Sequence, residues 1–445
     1  MDKDQDQPVP QPGLASHRLN EIASCLSGYD PEALKVELAR DFIARLLPRV
    51  AETEVLTLRA ALGRVLAADL VSPIDVPAAD NAAMDGYALR GSELRADADT
   101  RLRLAGTSLA GQGCAAELPP GHCQRIMTGA LMPPGLDTVV PQEFVRLEGP
   151  ADAATVLIPP GLLAPGANRR RAGEDLTRGR VALRAGQRLR AADIGLLASL
   201  GLPEVTVRRR LRVAILSSGD ELCPLGRPLP AGGVYDSNRH TLWALLQPLG
   251  VEVLDLGPVP DDPALLRQAF SDGSARADAV ISTGGVSVGE ADHTKRVMAE
   301  LGEVLFWKLA MRPGRPLAIG RIGGAMLFGL PGNPVAVMVS FLAFVREALL
   351  LMGGAAPTPL PWLRARATQA LRKKPGRTEY QRGIVTRATE GPWAGDWQVG
   401  VTGNQGSGVL SSMSLANGLI VLAHEQGEVA VGDWVDVMPL EGLNG

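Results

Sequence analysis

Leu211-Arg212-Val213-Ala214-Ile215-Leu216, followed at once by Ser217-Ser218-Gly219-Asp220-Glu221, is the stretch on which the architecture of this chain turns. A largely apolar run containing β-branched residues and ended by small polar residues is the pattern of a strand buried on both faces. It recurs at residues 251–256, 279–281, 304–307 and 325–328, with helical stretches between. Alternation of this kind predicts βαβ units and a parallel sheet covered on both faces. Ligands of such sheets bind beyond the carboxyl ends of the strands, so the loops after these runs are where chemistry is expected.

Outward from this region the texture changes. Residues 31–50 carry apolar side chains at helical spacing behind Asp30 and Pro31, a fitting cap and first-turn pair, which predicts a helix. Residues 55–70 read as a strand and then a second helix, before Ser72, Pro73, Asp75 and Pro77 break the pattern. From 76 to 165 short alternating runs lie between Gly and Pro clusters, as in a β-rich domain. Helix returns at 191–200, so 34–75 and 166–207 are expected to form one discontinuous domain around a 76–165 insertion. A central α/β domain then covers 208–355, and strand-like runs at 363–368, 383–386 and 419–423 predict a β domain over 356–445. Residues 1–33 read as a disordered tail.

Composition narrows the function classes. At 445 residues one core is not expected, since single cores stop growing near roughly 300 residues. The 45 basic and 48 acidic residues leave no cationic excess for a long phosphate track, which disfavours nucleic acid. Cys25, Cys114, Cys123 and Cys223 form no Cys-x-x-Cys pair and are too sparse for a disulfide framework, so reduced thiols are expected. No signal segment opens the sequence, and Arg346 and Glu347 interrupt the apolar run 335–351 short of the roughly 20 residues that span a bilayer. A cytoplasmic protein without a membrane partner is the expectation. Walker A, dinucleotide-binding and zinc-ligand patterns are absent from the sequence.

The loops beyond the expected strands are polar throughout. Ser218, Glu221, Asp261 and Asp292 follow three of them, and Gly284, Gly285 and Ser287 lie in a glycine-rich loop able to bring backbone N–H groups against an anion. Four acidic residues, Asp220, Glu221, Asp261 and Asp292, would repel a bare phosphate. Together they make sense with a hard cation between them and the ligand, and magnesium accepts one or two carboxylates plus phosphate oxygens. Glu221, Asp261 and Asp292 are the expected metal ligands, although Asp262 reads equally as the cap of a helix begun by Pro263. Lys308, Arg312 and Arg315 in one loop, and Pro331 and Asn333 in the next, supply the opposite sign and a fixed backbone for an oxyanion.

Six ordered motifs identify a relationship: 80–88 around Asp85 and Gly86, Arg125-Ile126-Met127-Thr128-Gly129-Ala130, Arg171-Ala172-Gly173-Glu174-Asp175, Ser218-Gly219-Asp220-Glu221-Leu222, the 284–292 loop, and Gly329-Leu330-Pro331-Gly332-Asn333-Pro334-Val335. They resemble MoeA and the E domain of gephyrin-like proteins from about residue 35 to the end. The resemblance implies a MogA-like α/β domain, a β-rich insertion, a C-terminal β-barrel and a homodimer whose cleft is shared between subunits. It implies a molybdopterin molybdenumtransferase that takes adenylylated molybdopterin and molybdate, uses magnesium and releases AMP with the molybdenum cofactor. By motif, Asp85, Thr128, Asp175, Glu221, Asp261 and Asp292 match catalytic positions, and Arg382 and Ser407 match an anion pocket. A MogA-type adenylyltransferase upstream and molybdoenzyme apoproteins or their chaperones downstream are the implied partners.

Arg312 and Arg315 stand where lysines are usual, and Ala336 where serine is frequent. Two alternatives share parts of the pattern: a MogA-type adenylyltransferase, disfavoured by the extra domains and by Gly284-Gly285-Val286-Ser287, and a gephyrin-like dimeric scaffold.

Overall fold

The computed structural model describes residues 19, 29–113, 116–150, 153–286 and 293–440. The chain divides into two compact units: one made of residues through 54, 63–67 and from 206 onward, the other of 55–62 and 68–205.

The first unit is built on the stretch quoted above. It runs β1 (Arg212–Ser218), α1 (Ser237–Leu246), β2 (Glu252–Val259), α2 (Pro263–Arg276), β3 (Ala279–Thr283), α3 (His293–Leu301), β4 (Gly302–Lys308), β5 (Pro316–Ile322) and β6 (Ala325–Leu330). The sheet order is β2-β1-β3-β6-β5-β4. β1, β2, β3 and β6 are parallel, as expected, but β5 runs antiparallel to both β6 and β4, so the sheet is mixed. The reason is a hairpin: Gly323-Gly324 turns β5 directly into β6 with no room for a crossover helix. Val213, Ile215 and Ile281 pack into one buried cluster, while Ala214, Leu216 and Val280 pack into another, so both faces of the parallel strands are covered.

After β6 a continuous helical run extends from Pro334 to Met352, made of α4 (Pro334–Ser340), a π turn at Phe341–Val345 and α5 (Arg346–Met352). With 19 residues and a mean hydropathy of 2.1 it is apolar enough to cross a membrane, but Val335, Val339, Phe341, Val345 and Leu349 are buried in the core of this unit. The helix Val36–Leu46 packs on the same core, with Phe42 edge-on to Trp307 at 5.1 Å. It begins after Lys35, later than Asp30 and Pro31 suggested. Asp30 instead accepts the Glu32 N–H (2.9 Å), and residues 31 and 34 pair with 308 and 310 as an added rung.

Five strands, β7 (Leu363–Ala367), β8 (Thr378–Arg387), β9 (Trp397–Val401), β10 (Gly418–Leu422) and β11 (Trp434–Pro439), close on themselves in the order β8-β9-β7-β11-β10 and back to β8. This is the expected C-terminal barrel. A short strand, Met311–Arg312, pairs with the start of β8, Met311 opposite Thr378 and Arg312 opposite Glu379.

The second unit holds a six-stranded sheet in the order Thr138–Pro141, Gly86–Leu89, His122–Ile126, Thr100–Ser108, Thr155–Ile158, Arg146–Glu148, matching the β-rich texture. Tyr87, Leu89, Leu102, Val156 and Ile158 fill one side of it and Ala88, Ile126 and Val139 the other. The helix expected late in 55–70 does not form: after the strand Thr53–Thr57 the chain turns, with Gly63 at φ 75. The helix Ala191–Ser199 does, started by Asp193, whose carboxylate accepts the Arg190 N–H (2.8 Å).

Candidate functional site

Beyond the carboxyl ends of β1, β2, β3 and β6 the first unit opens into a hollow of about 700 Å³. One wall is acidic. Glu221, three residues past β1, and Asp261, two past β2, both line it, together with Ser218, Gly284 and Gly285. Two glycines make this wall possible. A Cβ on Gly219 would stand 2.5 Å from a Glu221 carboxylate oxygen, so only glycine, here at φ 149, lets Glu221 fold back. A Cβ on Gly284, at φ 88, would lie 2.4 Å from the Ser218 carbonyl oxygen, so the β1 and β3 loops touch only because that side chain is missing. Behind them lies a buried polar chain: Thr283 donates to Ser217 (3.1 Å) and Ser217 to Asp236 (3.0 Å). Asp236 in turn caps α1 and holds Arg239. Asp220 accepts the Asp261 N–H (3.0 Å), fixing the two acidic loops to each other, while Asp262 caps α2 through the N–H groups of Ala264 and Leu265.

The other wall is basic. Arg312 and Arg315 line it from the loop between β4 and β5, Pro331, Gly332 and Asn333 from the turn after β6, and Ala336 from α4. The arginine loop is closed by the Leu309 N–H donating to the Arg315 carbonyl (2.6 Å) and stitched to β8 by the Thr378 N–H on the Ala310 carbonyl (2.8 Å). Ser407 joins the wall, and its carbonyl accepts the Val335 N–H (3.1 Å).

Arg377, which the sequence reading passed over, also lines the hollow, its Nε held by Glu379 at 2.8 Å. Arg382 does not line it. Only 1% exposed, it donates through Nε to Ser412 (3.0 Å) and through its terminal nitrogen to the carbonyls of Asn404 and Gly406 (3.2 and 2.9 Å). Burial, with Arg312 nearby, pulls its guanidinium below the usual arginine value. Arg382 therefore shapes the loop that carries Ser407 and borders a smaller, adjoining cavity of about 220 Å³ that shares Arg312, Pro313 and Gln405 with the hollow. Arg377 precedes the first residue of β8, whereas Arg382 falls in mid-strand. The ammonium of Lys308 pairs with Glu32, and Lys308 is not among the residues that line the hollow.

Asp85, Thr128 and Asp175 belong to the other unit. Both the N–H and the hydroxyl of Thr128 donate to one Asp85 oxygen at 2.7 Å, which holds the Asp85 carboxyl below the ordinary carboxylate range. Asp175 is exposed, its N–H on the Val76 carbonyl (3.0 Å). Ser287 and Asp292 lie outside the described residues. Among the described residues no three His, Cys, Asp or Glu side chains gather closely enough to hold a metal alone. Glu221 and Asp261 on one wall nonetheless suit a hard cation that takes one or two carboxylates and completes its shell with phosphate oxygens.

Three family models match the chain in order: the MoeA N-terminal region (domain I and II) over residues 34–201, a probable molybdopterin binding domain over 214–351, and the MoeA C-terminal region (domain IV) over 364–440. A molybdopterin molybdenumtransferase of Haemophilus influenzae is 42% identical over 413 residues, 93% of this chain and 100% of that protein. One from Nostoc sp. is 37% identical over 415 residues, 90% of this chain and 92% of that protein. The crystal structure of the molybdopterin biosynthesis moeA protein from Pyrococcus horikoshii OT3 superimposes with a TM-score of 0.77 at 27% identity, covering 92% of this chain and 100% of that one. The chain thus belongs to the MoeA family, the molybdopterin molybdenumtransferases of molybdenum cofactor biosynthesis.

Proposed function

We propose that the hollow binds adenylylated molybdopterin and molybdate, and that the enzyme inserts the metal as the phosphoanhydride is hydrolysed, releasing AMP and the molybdenum cofactor. The observation that carries this reading is the opposition of the Glu221 and Asp261 wall to the Arg312, Arg315 and Arg377 wall across one space of about 700 Å³. A pyrophosphate and an oxyanion both need positive charge, and carboxylates lining the same space suit a cation that bridges them to phosphate. Magnesium held by Glu221 and Asp261 would neutralise the pyrophosphate and polarise the bond to be cut.

The chain's own groups do the rest. Guanidinium groups grip the molybdate oxygens through charge-assisted hydrogen bonds, and Glu379 keeps Arg377 turned toward them. Ser218 and Ser407 border the space as neutral hydroxyl donors. Molybdenum itself is taken up by the sulfurs of the pterin dithiolene, so the protein need supply no ligand to it. The reading includes a cytoplasmic homodimer, with Asp85, Thr128 and Asp175 contributed to the cleft through the dimer. It also includes supply by a MogA-type adenylyltransferase and delivery to molybdoenzyme apoproteins or their chaperones.

The test supplies adenylylated molybdopterin, molybdate and magnesium and measures AMP. Release that depends on both molybdate and magnesium is expected. An enzyme that releases AMP at full rate after chelation of divalent ions would overturn the metal part, and one that releases none under any condition would overturn the whole.

A further inference from the structure

We infer that Asn238, outside the wall of the hollow, is a positioning residue that aims the Asn333 backbone N–H at the bound oxyanion. This rests on the reading that the hollow takes molybdate. Asn238 is the second residue of α1, and its side-chain amide donates to the carbonyl of Gly332 at 2.7 Å. Gly332 and Asn333 both line the hollow; Asn238 does not. The Gly332–Asn333 peptide is trans; the cis bonds among the described residues are Val76-Pro77 and Arg312-Pro313. In a trans peptide the carbonyl and the following N–H point in opposite directions. A Gly332 carbonyl turned out to Asn238 therefore sends the Asn333 N–H the other way, into the space between the two walls.

The composition of the turn gives this one donor weight. Pro331 and Pro334 bring no N–H, so within Pro331-Gly332-Asn333-Pro334 only two backbone donors exist at all. Ala336, also on the wall, offers no hydroxyl. A donor fixed before the ligand arrives needs no rearrangement when it binds, which is how backbone N–H groups stabilise oxyanions most effectively.

A second observation separates Asn238 from an ordinary structural asparagine. Its other amide atom, Oδ1, is buried with no hydrogen-bond partner among the described residues. A buried acceptor left unpaired destabilises the fold. Asn238 is thus poorly suited to its place as a stabiliser and well suited as the clamp of one carbonyl.

The experiment uses the full-length chain as Asn238→Ala, Asn238→Asp and Asn238→Ser. Inorganic molybdate binding is measured by calorimetry, AMP release over a molybdate series, and the thermal midpoint by scanning. Loss of one donor that presets a charge-assisted bond predicts a rise of about tenfold in the molybdate concentration for half-saturation in Asn238→Ala and Asn238→Asp. The limiting rate falls less, and Asn238→Ser, which keeps a donor, recovers part of the affinity. The thermal midpoint of Asn238→Ala stays level or rises. Unchanged molybdate affinity in Asn238→Ala overturns the inference, as does an affinity loss accompanied by a marked fall in thermal midpoint. If the wild type binds molybdate but releases no AMP, the proposed function fails while the calorimetric arm still decides the role of Asn238.

Discussion

The acidic and basic walls of the hollow are assembled in opposite ways. Glu221 and Asp261 stand two or three residues beyond neighbouring parallel strands, so the sheet alone sets their spacing, and the glycine of Gly219 lets one of them fold back. Arg312, Arg315 and Arg377 come from a loop between two antiparallel strands and from the lip of the barrel, and they meet because Met311–Arg312 pairs with the start of β8. One wall is local to a single motif and the other depends on two separate pieces of fold holding register. Damage to the first should therefore be chemical, and damage to the second chemical or structural according to the residue.

The largest effect is expected from the local wall. Glu221→Gln combined with Asp261→Asn removes both carboxylates at nearly constant volume, and AMP release at saturating molybdate should fall by at least about 10²- to 10³-fold, the scale of losing a preorganised charge partner. A fold intact by circular dichroism with a rate within tenfold of wild type would break the distinction. On the composite wall, Arg377→Ala should raise the molybdate needed for half-saturation by about 10- to 100-fold, as for a charge-assisted hydrogen bond, with part restored in Arg377→Lys.

Arg382→Met sharpens the contrast, because the same residue type five positions on should answer in stability. Leaving the Asn404 and Gly406 carbonyls without their donor is expected to cost about 1–3 kcal/mol in chemical denaturation, with molybdate affinity disturbed less than in Arg377→Ala. An Arg382 variant of native stability that cannot bind molybdate would reverse the assignment of the two arginines. The smallest effect concerns the other unit. The pKa of Asp85 is depressed, first by the Thr128 N–H and then by its hydroxyl, so the link is complete above the ordinary carboxylate pKa and is lost as pH falls through the depressed value. Thr128→Val removes the hydroxyl alone, and the Asp85 carboxyl followed by NMR titration should move part of the way back up.

Much of this was readable from the residues. The β1 run and its polar sequel show because strands buried on both faces leave a largely apolar signature, and the loops beyond them carry the ligands of the sheet. β5 escaped that rule. Pro316-Leu317-Ala318-Ile319 is apolar too, but no helical stretch separates it from β6, and only the Gly323-Gly324 turn marks it as a hairpin arm. The places of Arg377 and Lys308 are hidden for a different reason. Arg377 reaches the hollow because Met311–Arg312 pairs with the start of β8, and Lys308 meets Glu32 across a separation of 276 positions along the chain. Neither is contained in a local motif.

The closed barrel has a consequence of its own. Its five strands leave no edge in the ring, and the rung by which β8 extends beyond it is taken by Met311–Arg312. No foreign peptide can lengthen that ring by strand addition, so anything that docks there must read side chains or loops. An insertion of one residue at the start of β8 would shift Arg377 against Arg312, so this short overlap tolerates little drift in length.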